Sequence, residues 1–114
     1  MLGIDIEIKK GIMFVRVNGE LSKRTIDKWN DDVKDLIIDN GIRNVVLNVS
    51  NLKTIDAKGI NSLLYSYELC NTNKGVSLLC GLNDSIKEKV KRSHLLKFMK
   101  EVDSEKAALS LIKI

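Results

Sequence analysis

The sequence predicts an α/β domain: a mostly parallel sheet of four to five strands with an antiparallel N-terminal edge strand, flanked by about four helices. Three observations predict it. The chain opens with two strand-like apolar segments separated by Lys9-Lys10-Gly11, the pattern of a hairpin. Short β-branched runs then alternate with segments whose apolar residues recur every three or four positions. That alternation implies right-handed crossovers between parallel strands. Finally, the 114 residues contain no Pro, no Ser/Gly-rich linker and no internal repeat, so residues 1–114 read as one domain, long enough to bury its own core.

Each element has a local reason. Leu2, Ile4, Ile6 and Ile8 are apolar while Asp5 and Glu7 are charged, the period of a half-buried strand. Gly11 can adopt the positive φ of a tight turn. Residues 12–17 form the second strand, and Asn18-Gly19 is expected to stop it. Ile26, Trp29, Val33, Leu36 and Ile37 make one helical stripe, with Ser22 as the expected N-cap and Asn40-Gly41 as the stop. Trp29 lies in that stripe and is expected in the core. Val45, Val46, Leu47 and Val49 give the nearly unbroken apolar run of a strand covered on both faces. Residues 50–55 read as a loop. A second helix starts near Asp56, carries Ile60, Leu63, Leu64, Tyr67 and Cys70 inward, and ends around residues 73–75. Residues 76–80 are a short apolar strand. Ser85-Ile86-Lys87-Glu88 fits a capping box and predicts a third helix burying Ile86 and Val90. A short strand is expected over residues 98–102, followed by a helix capped by Ser104 and containing Ala107, Ala108, Leu111 and Ile112.

Composition excludes several function classes. The formal net charge of +4 permits an acidic partner, but two Phe, two Tyr and one Trp provide no stacking platform for nucleic acid. No apolar stretch reaches membrane-spanning length and no leader pattern opens the chain, so a cytoplasmic protein without membrane insertion is expected. Cys70 and Cys80 are too far apart for a CxxC pair or a metal knuckle and are expected as buried, reduced thiols. The single histidine, His94, has no Cys or carboxylate at triad or metal-ligand spacing and is expected to face solvent or to be simply hydrogen-bonded. No phosphate-binding, nucleophile-elbow or zinc-protease motif occurs. The expectation is therefore a chain without catalytic residues, metal or cofactor. Lys87, Lys89, Lys91, Arg92, Lys97 and Lys100 form the densest charge cluster; it is either a solvated helix end or a docking patch for an acidic surface.

One segment reads either as an ordinary strand-to-helix turn or as a recognition corner: a buried strand, then Asn51 to Ile55, then Asp56-Ala57-Lys58-Gly59-Ile60. Asp56 as N-cap can accept hydrogen bonds from the first-turn amides. Gly59 lowers helix propensity there, which calls for a close backbone approach as its reason. The side chain at position 57 then projects beside a helix N-terminus. A phosphate at that position would change the charge by about −1.5 to −2 and perturb any docked partner.

The chain resembles the STAS domain family, specifically the anti-sigma factor antagonist type. The resemblance is carried by Gly19-Glu20-Leu21, the strand from Val45 to Ser50, the turn from Ile55 to Ile60, Gly75-Val76-Ser77-Leu78-Leu79, and Asn83 leading a helix toward Leu95 and Phe98. It implies a protein-interaction module whose partner is an anti-sigma factor, often a serine kinase of the histidine-kinase-like ATPase fold. It also implies partner-binding residues at Glu20, Ser22, Asn51, Asp56, Ala57, Lys58, Gly59 and Ser62. In the family the kinase phosphorylates a Ser or Thr directly after the Asp of the turn; here that position is Ala57, which has no hydroxyl. Lys58 and Ser22 also depart from the usual pattern. Ser50, Thr54 and Ser62 carry hydroxyls nearby, none at the family position. Three readings follow: a constitutively binding antagonist, a scaffold subunit of another assembly (stressosome-like or a lipid-transport ABC system), or a small-ligand-binding STAS domain. A monomer or weak dimer is expected.

Overall fold

The computed structural model describes residues 1–112. Five strands, Leu2–Lys9 (β1), Ile12–Leu21 (β2), Asn44–Ile55 (β3), Ser77–Cys80 (β4) and Lys100–Val102 (β5), form one sheet in chain order. β1 pairs antiparallel with β2, and every other neighbour is parallel. Ile26–Trp29, Asn30–Lys34 and Asp35–Asn40 run on as one helix (α1) whose middle five residues widen into a π turn. Ala57–Thr72 (α2), Asp84–Arg92 (α3), a 3-10 turn at Leu95–Lys97 and Glu105–Leu111 (α4) complete the order. The fold class and element order expected from sequence are those observed.

Side-chain alternation along each strand divides the core in two. Met13, Val15 and Val17 of β2, Val45, Leu47 and Val49 of β3, and Leu79 of β4 face α1, α2 and α3. There they meet Trp29, Val33, Ile37, Leu63, Cys70, Ile86 and Val90. Each such side chain removed from water contributes about 1.5–3 kcal/mol. Ile12, Phe14, Val46, Leu78, Cys80 and Val102 face the other way, under Ala108 of α4 and Ile112 beyond it. At the edge of that second face Arg16 forms a two-pronged bond to Glu105, Nε–Oε2 2.8 Å and Nη2–Oε1 2.8 Å. Asn48 adds a third bond to Glu105 at 2.8 Å, so the last helix is tied to β2 and β3 by a polar clasp.

The sequence expectation is corrected at the ends of β2 and β3. Asn18-Gly19 does not stop β2. The strand runs on to Leu21 through register shifts on either side of these residues, with Gly19 at φ +89°. A side chain there would sit 2.2 Å from the Met1 carbonyl oxygen. Residues 50–55 are not a loop: Asn51, Leu52, Thr54 and Ile55 pair with Asn18, Gly19, Glu20 and Leu21. β4 reaches only as far as Asn48 of β3, so β2 and β3 continue past it as a two-stranded ribbon. Ser22 is not the N-cap of α1. Thr25 holds that place without a side-chain cap bond, while the Ser22 amide donates to Thr25 Oγ1 (3.0 Å) inside the preceding turn. Asn83, not Ser85, caps α3, accepting from the Ser85 and Ile86 amides. β5 begins at Lys100 rather than Phe98. Ser104 caps α4 as expected, accepting from the Ala107 amide at 3.0 Å, although Ile112 lies just beyond the helix. Trp29 is buried and His94 exposed. Cys70 and Cys80 are buried free thiols; burial pushes them up to about 12 and about 11.

Candidate functional site

The ribbon determines where the corner sits. It carries Leu21 and Ile55 side by side to the start of α2. The Asp56 amide donates to the Leu21 carbonyl at 3.3 Å. The Asp56 carboxylate then divides its oxygens: Oδ1 accepts from the Gly59 amide at 2.9 Å and Oδ2 from the Lys23 amide at 3.0 Å. Asp56 is thus an N-cap, as the sequence predicted, and also a tie to the turn after β2. The Lys23 amide is the main cause that holds its carboxyl below the usual aspartate range; burial opposes the shift, and the Gly59 and Lys58 amides reinforce it.

Gly59 supplies the close approach its position implied. A Cβ at residue 59 would stand 2.2 Å from the Leu21 carbonyl oxygen and 2.7 Å from Ile55 Cγ1. Only a residue without a side chain lets α2 start so close to the ribbon.

The eight sequence-derived residues divide by accessibility. Ala57 and Lys58 are exposed on the first turn of α2, and Asp56 and Glu20 are half-buried beside them. Glu20 accepts from the Ser22 hydroxyl and lies 3.7 Å from Arg24 in an exposed ion pair, a contact worth about 0–1 kcal/mol. Three of the eight face inward in the chain by itself. Ser22 is only 8% exposed and braces its turn, with its Oγ accepting from the Arg24 amide at 3.2 Å. Gly59 is buried against the ribbon. Ser62 is buried, and its hydroxyl donates to the Gly59 carbonyl at 2.6 Å. Asn51 is exposed but lines a separate depression with Asn18, Lys53 and Asn83, apart from the corner.

Sequence reading missed a groove that begins at Ala57. Its volume is about 480 Å3, and it runs between α2 and the α3–3-10 segment. Ile55, Ile60, Leu64, Leu95 and Phe98 line it with apolar surface; Asp56, Ala57, Asn61, Lys89, Arg92 and Ser93 form its rim. Two members of the basic cluster therefore join the corner, while Lys91, Lys97 and Lys100 are exposed outside the groove lining. Phe98 is 54% exposed, with its ring tilted against Tyr67 at 6.1 Å. An isolated aromatic between two cationic residues was the available signal, but nothing in sequence placed it opposite α2. Among the described residues no group of three or more His, Cys, Asp or Glu side chains could hold a metal, and no helix is long and apolar enough to cross a membrane.

Comparison with known proteins gives a consistent picture. The STAS domain model matches residues 3–108. An anti-sigma F factor antagonist from Paenibacillus polymyxa is 29% identical over 113 residues, spanning 99% of this chain and 97% of that protein. The crystal structure of an anti-sigma factor antagonist from Mycobacterium paratuberculosis superposes with a TM-score of 0.87 at 17% identity, covering 98% of this chain and 94% of that one. The Bacillus cell fate determinant SpoIIAA in its phosphorylated form superposes with a TM-score of 0.74 at 16% identity, covering 96% and 99%. With the antiparallel edge strand, the ribbon and the Asp56 corner all in place, the chain belongs to the STAS domain family.

Proposed function

We propose that this chain is an anti-sigma factor antagonist of the constitutively binding kind. It acts by binding, and its partner is an anti-sigma factor, a serine kinase of the histidine-kinase-like ATPase fold, met in the cytoplasm. The reading is supported by the relative from Paenibacillus polymyxa, which spans nearly the whole chain. One observation carries it further: Ala57 is exposed at the start of α2, with its backbone fixed by the two bonds of Asp56. A methyl group at that corner presents an uncharged surface and offers no oxygen for phosphoryl transfer. Asp56, Ala57, Lys58 and Glu20 form the contact surface, while Ser22, Gly59 and Ser62 support it from beneath.

The test uses the purified chain and the kinase-like anti-sigma factor encoded in the same genome. Calorimetry should give a one-to-one complex that prolonged incubation with Mg-ATP leaves intact, with no phosphate on the chain by mass spectrometry. Ala57→Ser should accept one phosphate and then lose at least tenfold in affinity. Absence of a complex, or phosphate on the native chain within residues 50–62, would refute the reading.

A further inference from the structure

The geometry points to the groove between α2 and α3 as a binding site for a small apolar monocarboxylate, an alkyl or aryl chain bearing one acidic head. This goes beyond the partner reading and does not depend on it. The volume of about 480 Å3 falls in the range of small-ligand sites, which pair apolar walls with a few polar groups. Ile60 and Leu64 line one wall over two turns from Ala57, a run of about 11 Å. Leu95 and the exposed ring of Phe98 line the other. Such a slot suits an unbranched apolar body, because its walls are Ile, Leu and Phe while its polar side chains, Asn61 and Ser93 among them, stand at the rim.

The rim carries two cations against one carboxylate. Lys89 and Arg92 are three residues apart on α3 and so share a face. Lys89 has no ion pair among the described residues. Arg92 has only a 3.8 Å contact to Glu88, with both side chains at least 70% exposed, a pairing too weak to neutralise it. The N-terminus of α2 adds the partial positive charge of a sixteen-residue helix at the Ala57 end. The one carboxylate on the rim, Asp56, has its oxygens engaged by the Lys23 and Gly59 amides. An acidic head therefore meets two exposed cations and a helix start, and its chain meets apolar walls.

The test is an amide NMR titration of the full chain with octanoate, below its micelle concentration, beside hexanoate and octyltrimethylammonium. Octanoate should shift amides of residues 55–64 and 89–98 saturably. It should bind about fifteenfold tighter than hexanoate, since it has two more methylenes and each one buried is worth roughly fourfold. The octyl cation should bind at least tenfold more weakly than octanoate. The double variant Lys89→Glu/Arg92→Glu should weaken octanoate at least tenfold with the remaining amide spectrum unchanged, and Phe98→Asp, at an exposed position, should do the same. Shifts scattered over other faces, equal binding of the cation, no chain-length dependence, or no saturable binding would overturn the assignment. Loss of partner binding in the experiment above leaves this result untouched, so the two inferences fail separately.

Discussion

Two strand-to-helix corners lie at the same end of the sheet, and each is fastened by one side chain used in an opposite sense. At the β3–α2 corner, Asp56 only accepts: it takes the Gly59 amide of its own helix and the Lys23 amide of the neighbouring turn. At the β4–α3 corner, Asn83 does both. Its oxygen accepts from the Ser85 and Ile86 amides at 2.9 and 3.3 Å. Its Nδ2 donates to the Leu52 and Ser50 carbonyls at 2.8 and 3.1 Å, with the Val49 carbonyl at 3.4 Å. The carboxylate suits a corner where the neighbouring chain turns amides toward it. The carboxamide suits one where the neighbour turns carbonyls. Asp56 is ionised and stands at the rim of a groove; Asn83 is neutral and grips the ribbon from the side. The difference shows why a cap residue cannot be exchanged by rank alone: the second partner selects it.

Four substitutions break or sharpen that contrast. Gly59→Ala has the largest expected effect, because its Cβ would meet the Leu21 backbone carbonyl as well as the buried Ile55 side chain. A loss of about 3 kcal/mol is expected from overpacking, read as a fall in Tm of roughly 10 °C or more. Asn83→Asp comes next. It keeps the helix cap but turns an acceptor against carbonyls, and should cost about 2 kcal/mol in urea unfolding. A change below half that would mean the carbonyl bonds contribute little.

Asp56→Asn should cost about 0.5–2 kcal/mol at neutral pH, as loss of a cap bond does. Its pH dependence follows from the sign of the shift. The folded carboxyl titrates below the unfolded value of 3.8, so its contribution is whole above that value and is lost as pH falls through the folded one. Wild type and Asp56→Asn should therefore converge in stability on acidification. A constant gap from neutrality to pH 3 would show that packing, not the charged cap, sets the difference. Lys58→Glu is expected to change stability by no more than about 0.5 kcal/mol, while reversing the charge beside Ala57. A larger loss would mean that its exposed ammonium has a structural role.

The sequence was legible where local pattern and final environment agree. Alternation marked β1, the β-branched run marked the middle of β3, and an acidic residue before a helical stripe marked the α2 cap. It misled where a distant segment decides the outcome. The polar stretch Ser50 to Thr54 looks like a loop, yet it is a strand because β2 continues alongside it. Gly19 looks like a stop, yet it is an irregularity that lets β2 pass the Met1 carbonyl. Ser85 offers a good capping-box match, but Asn83 wins since it reaches the ribbon as well as the helix. The groove was invisible for the same reason: its walls are some thirty residues apart in sequence and meet only when both helices pack on one face of the sheet.

The clasp between Arg16 and Glu105 joins groups 89 positions apart, and this has a consequence for how the chain matures. During synthesis β2 and β3 leave the ribosome well before the residues that shelter Ile12, Phe14 and Val46 on their second side. A nascent chain folding from its N-terminus therefore carries a bare apolar strip until α4 arrives and Arg16 finds its carboxylate, which makes the docking of α4 the step that shelters this strip from association.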